Sequence, residues 1–244
     1  MLGILLWQLA ASWIIRSENI LPGPWPVAKT LADLAVSGEL FVHLWASLRL
    51  FVIGLALSVP VGVLIGYAWA HSSFVQDYLQ PWLSFFYAMP RIAFAPLLVL
   101  WFGLGMVSYV AIVFTGAVFP MIFNTYTGIK SVPEDLLEVG QSFRANRRQI
   151  FFQIVVPASL PFLLAGLRLA IARSLIGVAI AEWFGARQGL GHLVYFYGQT
   201  FNTRGYFAGI VVFALLGVLL FDMMARLERK LAPWRETLRL RADD

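Results

Sequence analysis

The chain contains no cysteine and few charged residues for its length. Only 13% of its 244 residues are charged, whereas 60% are hydrophobic, and the mean hydropathy is +0.77. Soluble globular proteins carry about 25% charged residues, so this composition predicts a protein that lies in a lipid bilayer. The absence of cysteine excludes disulfides and thiol catalysis, because both need a thiol.

The chain also lacks the elements of a nucleotide or metal site. It contains no Gly-Lys pair, which the phosphate-binding motif G-x-x-x-x-G-K-[ST] requires. The Gly-Leu-Gly sequences at 103–105 and 189–191 do not follow a predicted strand, so we expect no dinucleotide binding. The three histidines, His43, His71 and His192, are scattered along the chain, and we expect no metal site.

Several apolar stretches have the length of a membrane-spanning helix, which needs about 20 residues. The sequence predicts an all-α polytopic membrane protein of about six spans in one domain, 1–244, with spans at 2–16, 44–70, 82–104, 106–128, 157–181 and 206–224. Pro90 and Pro96 interrupt the third span and predict a kink. Before the second span, Val27, Leu31 and Leu34 share one face of a short amphipathic helix that we expect at the membrane surface.

The distribution of basic residues predicts the orientation. The loop from about 129 to 156 and the C-terminal tail carry ten of the eighteen Lys and Arg: Lys130, Arg144, Arg147, Arg148, Arg226, Arg229, Lys230, Arg235, Arg239 and Arg241. The other face carries only Arg16, Lys29, Arg187 and Arg204. We therefore expect the loop and both termini in the cytoplasm, and the basic balance does not indicate nucleic-acid binding.

One polar stretch, "EVGQSFRANRRQIFFQIVVP" at 138–157, interrupts the apolar second half of the chain. A short helix is predicted just before and within it, with Ser131 as its N-cap and Pro133 in its first turn. Leu136, Val139, Gly140 and Phe143 would share one face of this helix. Such a helix fits either a lipid surface or a groove on a cytoplasmic partner.

The stretch resembles the EAA loop of binding-protein-dependent ABC importer permeases. That pattern is Glu-Ala-Ala, three residues, Gly, nine residues, Ile, any residue, Leu-Pro. Here Glu138 opens the pattern and Ile154 and Pro157 close it at the same spacing, with Val139, Gly140 and Val156 as departures. Arg144 replaces the pattern's glycine, and we expect Asn146 to form the turn two residues later.

The resemblance extends over nearly the whole chain. The segments "LPGPWPV", "AMPRIAFAPLLVLWFGLG", "VVPASLPFLLAGLRLA" and "AEWFGARQGLGHLV" are similar to the nitrate, sulfonate and taurine class of these permeases. The resemblance implies a type I importer permease fold and a pathway for a small solute such as a sulfonate, taurine, nitrate or an aromatic anion. It implies no catalysis by this chain, since ATP and magnesium would bind a separate ATPase.

The resemblance also implies partners and a bacterial inner-membrane location. Two ATPase subunits would dock on the EAA loops of a homodimer, and a periplasmic or lipid-anchored binding protein would deliver the solute. The coupling residues are then expected to be Glu134, Leu137, Glu138, Gly140, Phe143 and Arg144.

Charges within the spans are candidates for the translocation pathway, because a charge that faces lipid is costly. Arg49 and Arg168 lie near span ends, where their side chains can reach the surface. Arg91 and Arg173 lie deeper and either line a wet pathway or satisfy a local polar group, and Glu182 ends the fifth span as a gate or salt-bridge residue. The alternatives to an importer are an ion-coupled secondary transporter, which should carry acidic residues deep in its spans, and a membrane scaffold.

Overall fold

The computed structural model describes residues 2–14, 17 and 20–232, with only the backbone described at Leu2, Ile4, Ile14 and Arg91. Eleven α-helices occur in these ranges: α1 Leu2–Leu9, α2 Pro24–Val36, α3 Glu39–His71, α4 Ser73–Ala88, α5 Ala95–Phe102, α6 Met106–Lys130, α7 Glu134–Ser142, α8 Arg147–Ile150, α9 Val156–Trp183, α10 Leu190–Gln199 and α11 Thr203–Leu231. Shorter turns link some of them: a 3₁₀ turn at Arg91–Phe94, and π-helical turns at Ala10–Ile14 and Phe151–Val155.

Four continuous helical segments of the described chain are long and apolar enough to cross a membrane. They are Glu39–His71, Met106–Lys130, Arg147–Trp183 and Thr203–Leu231, and each contains one of the predicted spans. The predicted third span is instead two helices, Ser73–Ala88 and Ile92–Phe102, with a break between them. The break contains Pro90, which cannot donate a backbone hydrogen bond and restricts the residue before it.

The first predicted span, 2–16, lies partly outside the described residues. Its described part consists of the 8-residue α1 and the 5-residue π-helical turn. That part is shorter than the roughly 20 residues that cross a bilayer. The described residues therefore contain four helices long and apolar enough to cross a membrane, or five if the broken pair is one span, and the sixth span stays a prediction.

Two compact units, to which each long helix contributes residues, make up the chain. The first unit comprises 1–53, 92–113 and 175–219, and the second comprises 54–91, 114–174 and 220–244. In the first unit, Val27 and Leu34 of α2 pack with Leu193 and Ala208. The apolar face of α2, with Leu31 beside it, is thus covered by protein and not by the membrane surface that the sequence predicted.

Close contact between α3 and α6 holds the second unit together. Gly62 and Gly66 form a small-xxx-small pair on α3, and side chains there would collide with α6. A Cβ on Gly62 would lie 2.4 Å from the Cβ of Met121, and one on Gly66 would lie 2.6 Å from the carbonyl oxygen of Ile122. Small residues at this spacing let two helices approach within van der Waals contact in a membrane.

Candidate functional site

The first candidate site is the loop between α6 and α9, where α7 is the short amphipathic helix that the sequence predicts. Its N-cap is Pro133 and not Ser131, whose hydroxyl instead donates to the carbonyl of Gly128 at the end of α6. Pro133 takes this place because it needs no N–H partner and its φ is −59°. Glu134 and Asp135 then lie in the first turn, at the positive end of the helix dipole.

Three apolar side chains of α7 and its C-cap are exposed. Leu136 is 46% exposed, Val139 is 52% exposed and Phe143 is 84% exposed. Leu137 is half-buried, and Glu134 and Glu138 are exposed beside them. A polar helix that nonetheless leaves apolar groups uncovered is typical of a surface that binds a partner.

Gly140 fixes the opposite side of α7. It is buried, and a Cβ at this position would lie 2.8 Å from Cδ1 of Ile154 in the following π-helical turn. Ile150 of α8 borders the same position at 3.5 Å. The nearest atom is the end of the flexible Ile154 side chain, so the alanine of the EAA pattern would fit here after a small shift of that side chain.

Arg144 itself forms the turn that ends α7, so the expected turn at Asn146 is wrong. Arg144 has φ +53°, its N–H donates to Gln141 and the N–H of Ala145 donates to Gly140. These two bonds are a Schellman motif, whose left-handed position usually holds glycine. Asn146 has φ −73° and caps α8 through a reciprocal capping box with Gln149.

The predicted pathway residues differ in their surroundings. Arg173 is exposed, and the described residues give its guanidinium no hydrogen bond or ion pair. The side chain of Arg91 lies outside what the structure describes. Arg168 forms an ion pair with Glu228 of α11 in the second unit, so it has a partner within the protein.

Glu182, by contrast, is 2% exposed and is the centre of a hydrogen-bond network in the first unit. Its carboxylate accepts from the hydroxyl of Ser47 at 2.6 Å and from the N–H of Gly191 at 2.6 Å, and also from the N–H of His192. The carboxylate thus caps the N-terminus of α10, where the helix dipole favours negative charge. The network ties the end of α9 and the start of α10 to α3.

Residues of α3 complete this network. Ser47 accepts from the N–H of Leu190 at 2.8 Å, and Nδ1 of His43 accepts from the N–H of Gly189 at 3.0 Å. The ring of His43 stacks on that of His192 with centroids 6.0 Å apart. Burial lowers the pKa of His192, and the nearby His43 lowers it further, although a backbone hydrogen bond with Ala186 opposes both effects.

Sequence reasoning named Glu182 as a candidate gate or salt-bridge residue but missed the partners that bury it. Ser47 and His43 lie 135 and 146 residues from the groups they bind, and nothing in their local pattern indicates this pairing. The one sequence signal of a close approach here was the Gly-Leu-Gly at 189–191. Gly189 leaves room for the Glu182 carboxylate, because a Cβ at this position would lie 2.2 Å from it. The described residues contain no cluster of three or more His, Asp or Glu side chains that could hold a metal ion.

The family model for "Binding-protein-dependent transport system inner membrane component" matches residues 58–233 of this chain. The chain belongs to this family. It is therefore a type I ABC importer permease subunit, a membrane protein whose family is non-catalytic. Family membership also decides against the alternatives of an ion-coupled secondary transporter and a membrane scaffold.

Relatives in several bacteria match over nearly the whole chain. The formylaminopyrimidine transport permease protein of Halalkalibacterium halodurans is 37% identical over 96% of this chain and 92% of the relative. A candidate aliphatic sulfonates transport permease protein of Bacillus subtilis is 35% identical over 96% and 85%. The taurine transport system permease protein of Escherichia coli K12 is 31% identical over 96% and 87%.

Solved structures show the same fold. A chain of the inward-facing MetNI methionine ABC transporter superposes with a TM-score of 0.63 at 20% identity, covering 77% of this chain and 94% of that chain. A chain of an amino acid ABC transporter gives a TM-score of 0.62 at 14% identity, covering 82% and 97%. The resemblance of the sequence to importer permeases, and the all-α fold it implied, are confirmed.

Proposed function

We propose that this permease forms the membrane pathway of a bacterial inner-membrane importer for a small organic anion, a sulfonate or taurine first. The observation that carries the proposal is the exposed apolar surface of α7, formed by Leu136, Val139 and Phe143, beside the exposed Glu138. A partner must cover this surface, and the family supplies a cytoplasmic ATPase. The sulfonate and taurine relatives support the substrate class.

Membrane topology supports opposite exposure of the two candidate sites. Residues 129–146 precede the helical segment Arg147–Trp183, and residues 184–189 follow it. A segment that crosses the membrane leaves its two flanks on opposite sides. The basic loop is then cytoplasmic by the positive-inside rule, and 184–189 faces the side from which a binding protein delivers solute.

The proposed assembly is a homodimer of this permease with two ATPase subunits and one extracytoplasmic binding protein. Four or five described spans per chain enclose a pathway poorly, and a second copy doubles the number. In this assembly Glu134, Leu137, Glu138, Gly140, Phe143 and Arg144 form or shape the ATPase contact. Arg173 and Arg91 give the pathway a positive potential, and Glu182 holds its outer end together.

Reconstitution tests the proposal. We expect proteoliposomes with permease, ATPase and binding protein to take up ethanesulfonate or taurine only when ATP is enclosed with the ATPase. Glu138→Lys should leave the permease folded but uncouple ATP hydrolysis from uptake, because a charge reversal in a small docking surface opposes binding. Uptake that needs an ion gradient and no ATP would overturn the importer function, and uptake of formylaminopyrimidine alone would replace the anionic substrate class.

A further inference from the structure

A cavity of about 450 Å³ with both polar and apolar lining residues lies within the first unit, beside the Glu182 network. Three parts of the chain line it: α3, the start of α6 with the loop before it, and the end of α9 with the turn after it. Their contributions include Arg49, Leu50, Leu104, Tyr109, Arg187 and Gln188. Its volume falls in the range of about 300–1,000 Å³ that is usual for small-molecule sites.

Two glycine-containing loops of similar sequence, "LWFGLG" at 100–105 and "EWFGARQGLG" at 182–191, meet at this cavity. Gly185 has φ +116°, and a Cβ there would lie 2.6 Å from Cδ2 of Leu104. Gly103, with φ +75°, and Gly105, with φ +154°, flank Leu104. Other residues rarely adopt such angles, so glycine is needed for the backbone path that brings Leu104 against Gly185 at the cavity.

The charges that line the cavity are predominantly positive. Arg49 and Arg187 are exposed, and within the described part of the chain neither guanidinium has a hydrogen-bond or ion-pair partner. Glu182 is the cavity's one carboxylate among the described residues, and its oxygens already accept hydrogen bonds from Ser47 and from the start of α10. The two arginines therefore retain their donors for a ligand.

We propose that this cavity binds the oxyanion group of the transported solute, held between the guanidinium groups of Arg49 and Arg187. Guanidinium presents a planar pair of N–H donors that matches a sulfonate or carboxylate. The hydroxyl of Tyr109 and the amide of Gln188 supply further donors, and Leu50 and Leu104 contact the organic part. This inference rests on the proposed function, and it assigns the anion to Arg49 and Arg187, outside the predicted pathway residues.

Arginine labelling tests the site without a transport measurement. The complete complex is treated with p-hydroxyphenylglyoxal in the absence of ATP, and the labelling rate of each arginine is followed by mass spectrometry. We expect ethanesulfonate to slow the labelling of Arg49 and Arg187 several-fold, with no effect on Arg226, which pairs with Asp222 in the second unit. Nitrate and benzoate are tested in parallel, and dimethyl sulfone serves as the uncharged analogue.

The proposal would be overturned if none of the three anions slows labelling of Arg49 and Arg187, or if dimethyl sulfone protects as well as the anions do. In Arg49→Gln, the anion concentration that half-protects Arg187 should rise about tenfold, as expected for one charge-assisted hydrogen bond. Lys29→Gln removes an exposed charge of the same unit outside the cavity and should leave that concentration unchanged.

A separate measurement, ATP-dependent uptake, tests the proposed function. If the complex shows no ATP-dependent uptake of any tested solute, importer function is lost, whereas the labelling result still decides whether the cavity binds anions. An Arg49→Gln variant with wild-type half-protection of Arg187 would show that the two arginines do not share a ligand.

Discussion

In sequence, α7 precedes the helical segment Arg147–Trp183 and Glu182 lies near the end of that segment. The two sites satisfy their polar and apolar groups in opposite ways. At Glu182 a buried carboxylate has hydrogen-bond donors from two other helices of its own chain, α3 and α10. At α7 the polar groups are exposed and the apolar side chain of Phe143 is 84% exposed. Groups with internal partners stabilise the fold, and groups without them indicate where another molecule binds.

The largest effect should come from Glu182→Ala, which leaves the hydroxyl of Ser47 and the N–H groups of Gly191 and His192 without their acceptor. Each unsatisfied buried donor costs about 1–3 kcal/mol, so we expect a loss of at least about 3 kcal/mol in the free energy of unfolding. Thermal unfolding of the purified permease measures this loss.

Two variants serve as controls for that change. Glu182→Gln keeps one acceptor oxygen and should lose less stability than the alanine variant. Asp33→Asn removes an exposed carboxylate of the same unit outside the network and should change little, since exposed charges contribute about 0–1 kcal/mol. An unfolding temperature of Glu182→Ala equal to that of the wild type would mean that the network does not stabilise the fold.

Sequence reasoning succeeded where the deciding pattern is local. Four predicted spans lie within long helices, and proline chemistry predicted the interruption of the helix at Pro90. The predicted position of the turn after α7 was wrong. Non-glycine residues rarely have a positive φ, but the two hydrogen bonds of the Schellman motif hold Arg144 at φ +53°. Long-range pairs such as Ser47 with Glu182, and the exposure of Arg49 in a cavity, leave no local signal in the sequence.

The second prediction concerns the α7 surface. Phe143→Ala should weaken ATPase binding by about 2 kcal/mol or more, close to thirtyfold, as is usual for a central aromatic residue of an interface. The unfolding temperature of the permease should hardly change, because the side chain is 84% exposed. The affinity of the purified permease for its ATPase subunit is the measurement.

Phe201→Ala is the matched control, since Phe201 is 90% exposed and lies in the turn after α10. It should bind the ATPase as the wild type does. Equal losses in the two variants, or a loss in neither, would remove α7 as the docking surface.

The third prediction separates a pathway arginine from a structural one. Arg173→Gln should lower the rate of anion uptake about tenfold, because a single charge-assisted hydrogen bond or favourable potential is lost. The yield of assembled complex should stay normal, since the guanidinium has no partner among the described residues. Arg168→Gln, which breaks the ion pair with Glu228, should instead affect complex yield first. Unchanged anion uptake at normal yield would exclude Arg173 from the pathway.

The smallest effect should come from Arg144→Gly, which tests the turn that sets the shape of the α7 surface. A non-glycine residue in the left-handed region costs about 1–2 kcal/mol, whereas glycine adds about 0.4–1 kcal/mol of unfolded-state entropy. The difference predicts a gain of about 0.5–1 kcal/mol in the free energy of unfolding.

Phe201→Gly is the matched control and should give a similar gain, because Phe201 also has φ +53°. It has the same pair of backbone hydrogen bonds: its own N–H donates to Gly198, and the N–H of Asn202 donates to Tyr197. If Arg144→Gly gains stability and keeps ATPase affinity, Arg144 is only a turn residue. If it gains stability and loses affinity while Phe201→Gly does not, the guanidinium of Arg144 contacts the ATPase. A loss of stability in Arg144→Gly would mean that the side chain stabilises the loop by more than its backbone strain costs.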